Sequence, residues 1–197
     1  MSRPRRLYNV GTLRRSRPLR LVSTVFALAV FALATGGAGA QDKARTPTAV
    51  ITMEKGGEIV LEFFPKDAPK HVENFLTLAK KKFYDGQRVH RVEPGFVVQF
   101  GDPQSKTKPM DDPSMGSGGP GYTIKAEFNS RKFERGVLGM ARTNDPDSAG
   151  SQVYMMLGPA PFLNGKYTAF GQVTKGMDVV DKIRVGDRIT SIKVVEK

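Results

Sequence analysis

The sequence predicts a mainly β domain, a closed antiparallel barrel with covered ends, behind a leader of different character. Three observations point there. Short β-rich runs separated by glycine and proline recur from residue 48 onward. Only two stretches carry a helical period. The first forty residues are basic and then apolar, with no acid among them. A closed sheet has no free edge on which a second chain could add a strand. On pattern alone a β-sandwich fits the same strands, and composition does not separate the two.

The leader fixes the charge argument. Arg3, Arg5, Arg6, Arg14, Arg15, Arg17 and Arg20 form a basic head, Leu21 to Thr35 an uncharged and mostly apolar run, and Ala38-Gly39-Ala40 a small-x-small site suited to signal peptidase. The run is shorter than the ~20 residues that span a bilayer. Residues 1–40 are therefore expected to be a signal peptide of the general secretory type, with an uncleaved anchor as the alternative. Membrane contact is then transient, and the mature protein is periplasmic or extracellular. The whole chain holds 31 Lys+Arg and 19 Asp+Glu, net +12. Without the leader it holds 24 against 19, a net of +5 spread along the chain, which argues against a nucleic-acid partner. There is no cysteine, so disulfides, thiol catalysis, cysteine metal sites and lipid attachment at a cysteine are excluded. Residues 41–47 suit a short linker, and 48–197 a single domain with a normal core.

Ala49 to Met53 and Glu58 to Phe64 flank Lys55-Gly56-Gly57 and predict a hairpin. Asp67 is placed to cap a helix with Pro69 in its first turn, and Val72, Phe75, Leu76 and Ala79 form its apolar stripe. Lys80-Lys81-Lys82 suits the C-terminal end, with Gly86 in the turn beyond. Strands are expected around Arg88–Val92 and Phe96–Gly101, followed by a long Gly/Pro/Ser/Asp loop over 102–121. Shorter β segments follow at 122–124, 137–142, 152–157 and 166–173. Gly176 to Arg184 predicts a second helix, and Ile189 to Val195 a last strand. His71 is expected on the helix surface, and His90 in a structural role.

The most informative stretch is Val89 to Pro103, VHRVEPGFVVQFGDP. It sets one arginine, one glutamine and several apolar side chains on two strands around a Pro-Gly break, with no acid–base pair, nucleophile or metal set. Such a site can hold a peptide group and donate hydrogen bonds without covalent chemistry. This stretch resembles the signature of the cyclophilins, the peptidyl-prolyl cis-trans isomerases. The likeness extends over about Val50 to Val195: Asp67–Phe75 resembles the family's first helix and Gly118–Tyr122 its glycine-rich loop. Gly136–Arg142, Gly150–Tyr154 and Phe162–Gly171 resemble its substrate-facing segments. The resemblance implies a closed eight-stranded antiparallel β-barrel capped by two α-helices, a monomer acting on proline-containing unfolded or partly folded polypeptides, and no cofactor or metal.

It also implies roles. Rotation about a peptide bond meets a barrier of ~18–20 kcal/mol because resonance is lost. In the twisted transition state the prolyl nitrogen gains a lone pair, and a fixed donor aimed at it favours that state over both ground states. Arg91, always charged and presenting a planar fork, matches that donor. Gln99 matches the residue that bonds the substrate backbone and orients the arginine. Phe96, Val97, Tyr154 and Leu163 match the pocket for the proline ring. Ala141, Arg142 and Gln152 match the wall for the preceding residues. Strict alternation puts Phe96 and Val97 on opposite faces of a strand, so both reach one pocket only if the backbone is irregular after Gly95. The chain departs from eukaryotic members at Val97 for methionine, Phe162 for tryptophan and Tyr167 for histidine. In the family that tryptophan donates its indole N–H to cyclosporin, so these changes leave isomerisation in place and weaken the case for drug binding. A proline-peptide-binding chaperone with little turnover is the alternative, and it would have no need of Arg91.

Overall fold

The computed structural model describes residues 46–195. The leader expected over 1–40 and most of the linker over 41–47 lie outside the described residues. Among the described residues there are eight strands: β1 Thr48–Met53, β2 Glu58–Phe63, β3 Arg91–Glu93, β4 Val97–Phe100, β5 Val137–Met140, β6 Val153–Met156, β7 Ala169–Lys175 and β8 Ile189–Val195. Two helices accompany them, α1 Pro69–Lys80 and α2 Met177–Val180. The strands form one curled antiparallel sheet in the order β3-β4-β6-β5-β7-β2-β1-β8.

The expected closure is only approached. β3 and β8 end the sheet order with no ladder between them, and the segments leading into them meet at the isolated bridge Arg88↔Arg188. Val89 N–H reaches Asp187 O at 2.9 Å beside it. The strand expected from Arg88 begins only at Arg91, because Arg88 N–H is taken by Ser105 Oγ at 3.0 Å. The segment 122–124 is no strand: Ile124 makes one bridge, to Ala149. The second helix is a single turn. After Val180 the chain tightens, with Lys182 N–H on Val179 O and Ile183 N–H on Val180 O.

Alternation divides the side chains into two layers. Ile51, Ile59, Leu61, Val98, Phe100, Leu138, Met155 and Phe170 point inward, where Phe75 of α1 and Tyr84 join them. Val97, Val137, Tyr154, Met156 and Ala169 point the other way, into a second cluster with Phe133 and Leu163. The aromatic centre of the main core is tight, with Phe75 ring centroids 5.3 Å from Phe63 and 5.0 Å from Tyr84.

The start of α1 differs from expectation. Asp67 does not cap it; its carboxylate pairs with Arg131 at 2.8 Å. Glu127, distant in sequence, accepts from Lys70 N–H at 3.0 Å and His71 N–H at 2.9 Å, supplying the missing cap. His71 is fully buried rather than on the surface, and its Nδ1 donates to Glu127 Oε2 at 2.7 Å. Burial holds the imidazole below its ordinary value despite the nearby carboxylate. Burial works against the Glu127 charge as well, but the His71 and Lys70 donors outweigh it and hold the carboxyl below its usual range.

Both shifts have the same sign for stability. The unfolded chain protonates its histidine first, so His71 makes stability fall as pH drops below about 6.5, until the folded value is passed. Glu127 contributes stability that is present above about 4.5 and lost as pH falls through its lowered folded value. Urea denaturation between pH 7.5 and 3 is expected to show stability declining from about pH 6.5 downward. Glu127→Ala should start roughly 2 kcal/mol lower at pH 7, from the lost cap and the orphaned imidazole, and decline less below pH 5. An unchanged stability for that variant would contradict this account of α1.

Candidate active site

The hairpin β3–β4 turns at Pro94-Gly95, where Gly95 takes φ +72° and Phe96 N–H closes on Glu93 O at 2.9 Å. Its register sets Arg91 opposite Gln99, Gln99 opposite Tyr154 on β6, and Tyr154 opposite Gly139 on β5. Residues paired across antiparallel strands share a face. Arg91, Gln99 and Tyr154 therefore stand in one row, on the face turned from the main core.

The row borders a cavity of about 250 Å³ lined by Arg91, Phe96, Val97, Gln99, Ala141, Arg142, Tyr154, Phe162, Leu163 and Tyr167. These are the residues singled out from the sequence, all but Gln152. Gln152 lines an adjoining cavity of about 330 Å³, which shares Gln99, Ala141 and Arg142 with the first. Arg91 Nη1 donates to Gln99 Oε1 at 3.2 Å, and its guanidinium carbon stands 5.7 Å from the Phe96 ring centroid. Its remaining near partner is Glu93, Nε to Oε1 at 3.6 Å. Phe162 lies on the rim, 62% exposed, against Phe96 at 5.7 Å between centroids. Arg142 lays its guanidinium 4.3 Å over the Tyr167 ring and donates to the carbonyls of Thr143, Asn144 and Lys166, tying two loops together.

The floor is aromatic. Tyr154 stacks on Phe133 at 6.0 Å and meets the edge of Tyr167 at 6.3 Å. Its ring leans over Gly139, where an added Cβ would come 2.2 Å from Cζ and 2.4 Å from the hydroxyl. That hydroxyl is buried without a hydrogen-bond partner, and burial pushes the phenol well above its usual value. His90 is half-buried, and burial holds its imidazole below the ordinary value although Asp102 and Gln152 are near. Among the described residues no group of three His, Cys, Asp or Glu side chains is placed to hold a metal ion.

A model of the cyclophilin type peptidyl-prolyl cis-trans isomerase/CLD family matches residues 48–196. The chain belongs to the cyclophilins. It is 42% identical over 167 residues to a protein of Brucella abortus named a probable peptidyl-prolyl cis-trans isomerase, covering 83% of this chain and 85% of that one. Peptidyl-prolyl cis-trans isomerase B of Bacillus subtilis is 41% identical over 149 residues, 75% of this chain and 97% of its own. A cyclophilin type isomerase of Cryptosporidium parvum superposes with a TM-score of 0.68 at 25% identity, over 78% of this chain and 99% of that one. The same protein in the presence of the dipeptide Ala-Pro superposes at 0.66 with 26% identity. The chain is a peptidyl-prolyl cis-trans isomerase, and cyclophilin isomerases bind proline-containing peptides.

Against this family frame, the conflict between Phe96 and Val97 resolves without a bulge. Phe96 precedes β4 in the turn, so strand alternation does not apply to it, while Val97 opens the strand. Two contributors were not visible as site residues in the sequence. Phe133, which backs Tyr154, sits in an irregular segment whose N–H is held by Asn164 Oδ1 at 2.8 Å. Asp102, fully buried two residues beyond β4, holds the glycine-rich loop. The pair Asp102-Pro103, an acceptor ahead of a helix-starting proline, is a local signal for the 3₁₀ turn Pro103–Lys106 that Asp102 caps.

Proposed function

We propose that this isomerase turns over X-Pro bonds through Arg91, with the proline ring held by Phe96, Val97, Tyr154, Phe162 and Leu163. The observation that carries the reading is the guanidinium fork beside Gln99 at the mouth of an apolar cavity. The residues before proline run along Ala141, Arg142 and Gln152, with Tyr167 behind Arg142, so that the ring and its N-terminal neighbours occupy the two adjoining cavities. Gln99 holds the fork from one side and offers its amide to the substrate backbone. As the C–N bond twists, nitrogen pyramidalises and Arg91 donates to the new lone pair. Nothing covalent forms, and each ~1.4 kcal/mol of transition-state preference gives about tenfold in rate.

We also propose that residues 1–40 direct export and are removed, so that the clients are proteins folding outside the cytoplasm. Support comes from the arginine head, the apolar run and Ala38-Gly39-Ala40. Intact mass of the protein recovered from outside the cytoplasm should give a start at Gln41. A full-length chain held in the membrane fraction would replace export with anchoring.

Arg91→Ala is expected to lower kcat roughly a hundredfold or more in a protease-free isomerisation assay, the size of effect seen when one transition-state donor is removed. Arg91→Lys keeps the charge but not the fork, and should recover only part of that loss. Peptide affinity and thermal stability should change little in either. Near-normal turnover in Arg91→Ala would remove Arg91 from the chemistry.

Phe162 keeps apolar surface on the rim but has no donor. A buried drug carbonyl left unpaired there costs ~1–3 kcal/mol, about one to two decades of affinity. Weak cyclosporin inhibition is therefore expected, with tighter inhibition in Phe162→Trp. Tight inhibition of the unaltered protein would show that Phe162 does not control it.

A further inference from the structure

Behind Arg91 the hydrogen bonds form a closed circuit. Gln99 Nε2 donates to Gln152 Oε1 at 3.0 Å. Gln152 Nε2 donates to two main-chain carbonyls, Gly116 at 2.7 Å and Gly118 at 2.8 Å. The N–H groups of the same two glycines turn to Asp102, whose Oδ2 accepts them at 2.6 and 3.1 Å. Asp102 Oδ1 accepts from Gln104 N–H at 2.8 Å. Asp102 follows Gln99 by three residues, so the circuit leaves β4 at Gln99 and closes on the chain two residues beyond the strand's end.

The circuit has a direction. The two ends of a glutamine amide have nearly the same shape, and only their partners decide which is which. Carbonyl oxygens only accept, so Gln152 must present its NH₂ to Gly116 and Gly118 and its oxygen to Gln99. Gln99 must then present NH₂ to Gln152 and oxygen to Arg91, whose guanidinium only donates. A reversed Gln99 would set two donors against each other. The acceptor that faces Arg91 is thus imposed by two glycine carbonyls.

Those carbonyls belong to two glycines that flank Ser117, whose hydroxyl donates to Ser114 O at 2.6 Å. Gly116 takes φ +89°, a conformation that holds little preference in an unanchored glycine segment. Asp102 supplies the anchor and is fully buried. It leaves no room for anything else: a Cβ on Gly118 would lie 2.1 Å from its Oδ1. His90 lies against the same loop, with its ring beside Gln152 and Asp102.

We propose that Asp102 is a positioning residue for isomerisation, fixing the carbonyls of Gly116 and Gly118 and through Gln152 and Gln99 the fork of Arg91. This rests on Arg91 carrying turnover as proposed above. The test is a double-mutant cycle on the mature protein, with kcat and KM measured by NMR exchange on a proline peptide. Asp102→Asn keeps the shape but turns an NH₂ toward backbone N–H groups. Alone it should lower kcat about tenfold, one charge-assisted hydrogen bond at the transition state, with KM within about twofold. In the Arg91→Ala background the same change should lower kcat by less than about twofold, because the group it acts through is gone. A loss as large in that background as alone would overturn the proposal, as would an unchanged kcat in Asp102→Asn. If Asp102→Asn does not fold, Gln152→Leu cuts the circuit one step nearer Arg91 and is read against the same background, non-additive loss supporting the proposal and additive loss overturning it. Failure of the catalytic reading is separately visible, as normal turnover in Arg91→Ala alone.

Discussion

The register of four short strands decides which side chains line the cavity. Arg91, Gln99, Tyr154 and Gly139 are consecutive partners across β3, β4, β6 and β5. Had β4 paired one residue out of step, Gln99 and Val97 would face the core and Val98 and Phe100 the cavity. β3 has three residues and β4 four, so their ladders alone hold this register with few bonds. The apolar layers hold it: Val98 and Phe100 are fully buried on one side, Val97 on the other. A slip would strand a glutamine in the aromatic core, and the unpaired amide would cost far more than the ladder returns.

That row borders a cavity whose charged lining groups, among the described residues, are the guanidinium groups of Arg91 and Arg142. The other lining groups are apolar, amide or phenol, none with an ordinary ionisation between pH 5 and 8. The two histidines are held below their ordinary value by burial: His71 under Glu127 at the start of α1, and His90 beneath the glycine-rich loop beside Asp102.

What the sequence made legible was local. The eight-residue spacing of Arg91 and Gln99 about Pro-Gly encodes a hairpin by itself, and the stripe of Val72, Phe75 and Ala79 encodes α1. Ile189–Val195 came out with the same ends. What stayed hidden depends on partners distant in the chain. Glu127 caps α1 from more than fifty residues away, and no local pattern marks a cap of that kind. The burial of His71 follows from the same contact. Strand ends at Arg88 and Phe96 shifted because Ser105 and the turn took their backbone groups. The structure brings all but Gln152 of the residues that the family resemblance pointed to around one cavity, while the fully paired barrel it implied is a sheet whose ends meet through one bridge.

Gly139 and Tyr154 carry a last consequence, for how this sequence can change. The φ of Gly139 places no demand for glycine; the tyrosine ring lying on its Cα does. Any side chain at 139 requires a smaller or displaced ring at 154, and a smaller ring at 154 leaves a void over 139 that only a side chain there fills. Each position is tolerable only in the company the other provides. Enlarging 139 before 154 is trimmed would push the tyrosine ring out of its place in the cavity floor.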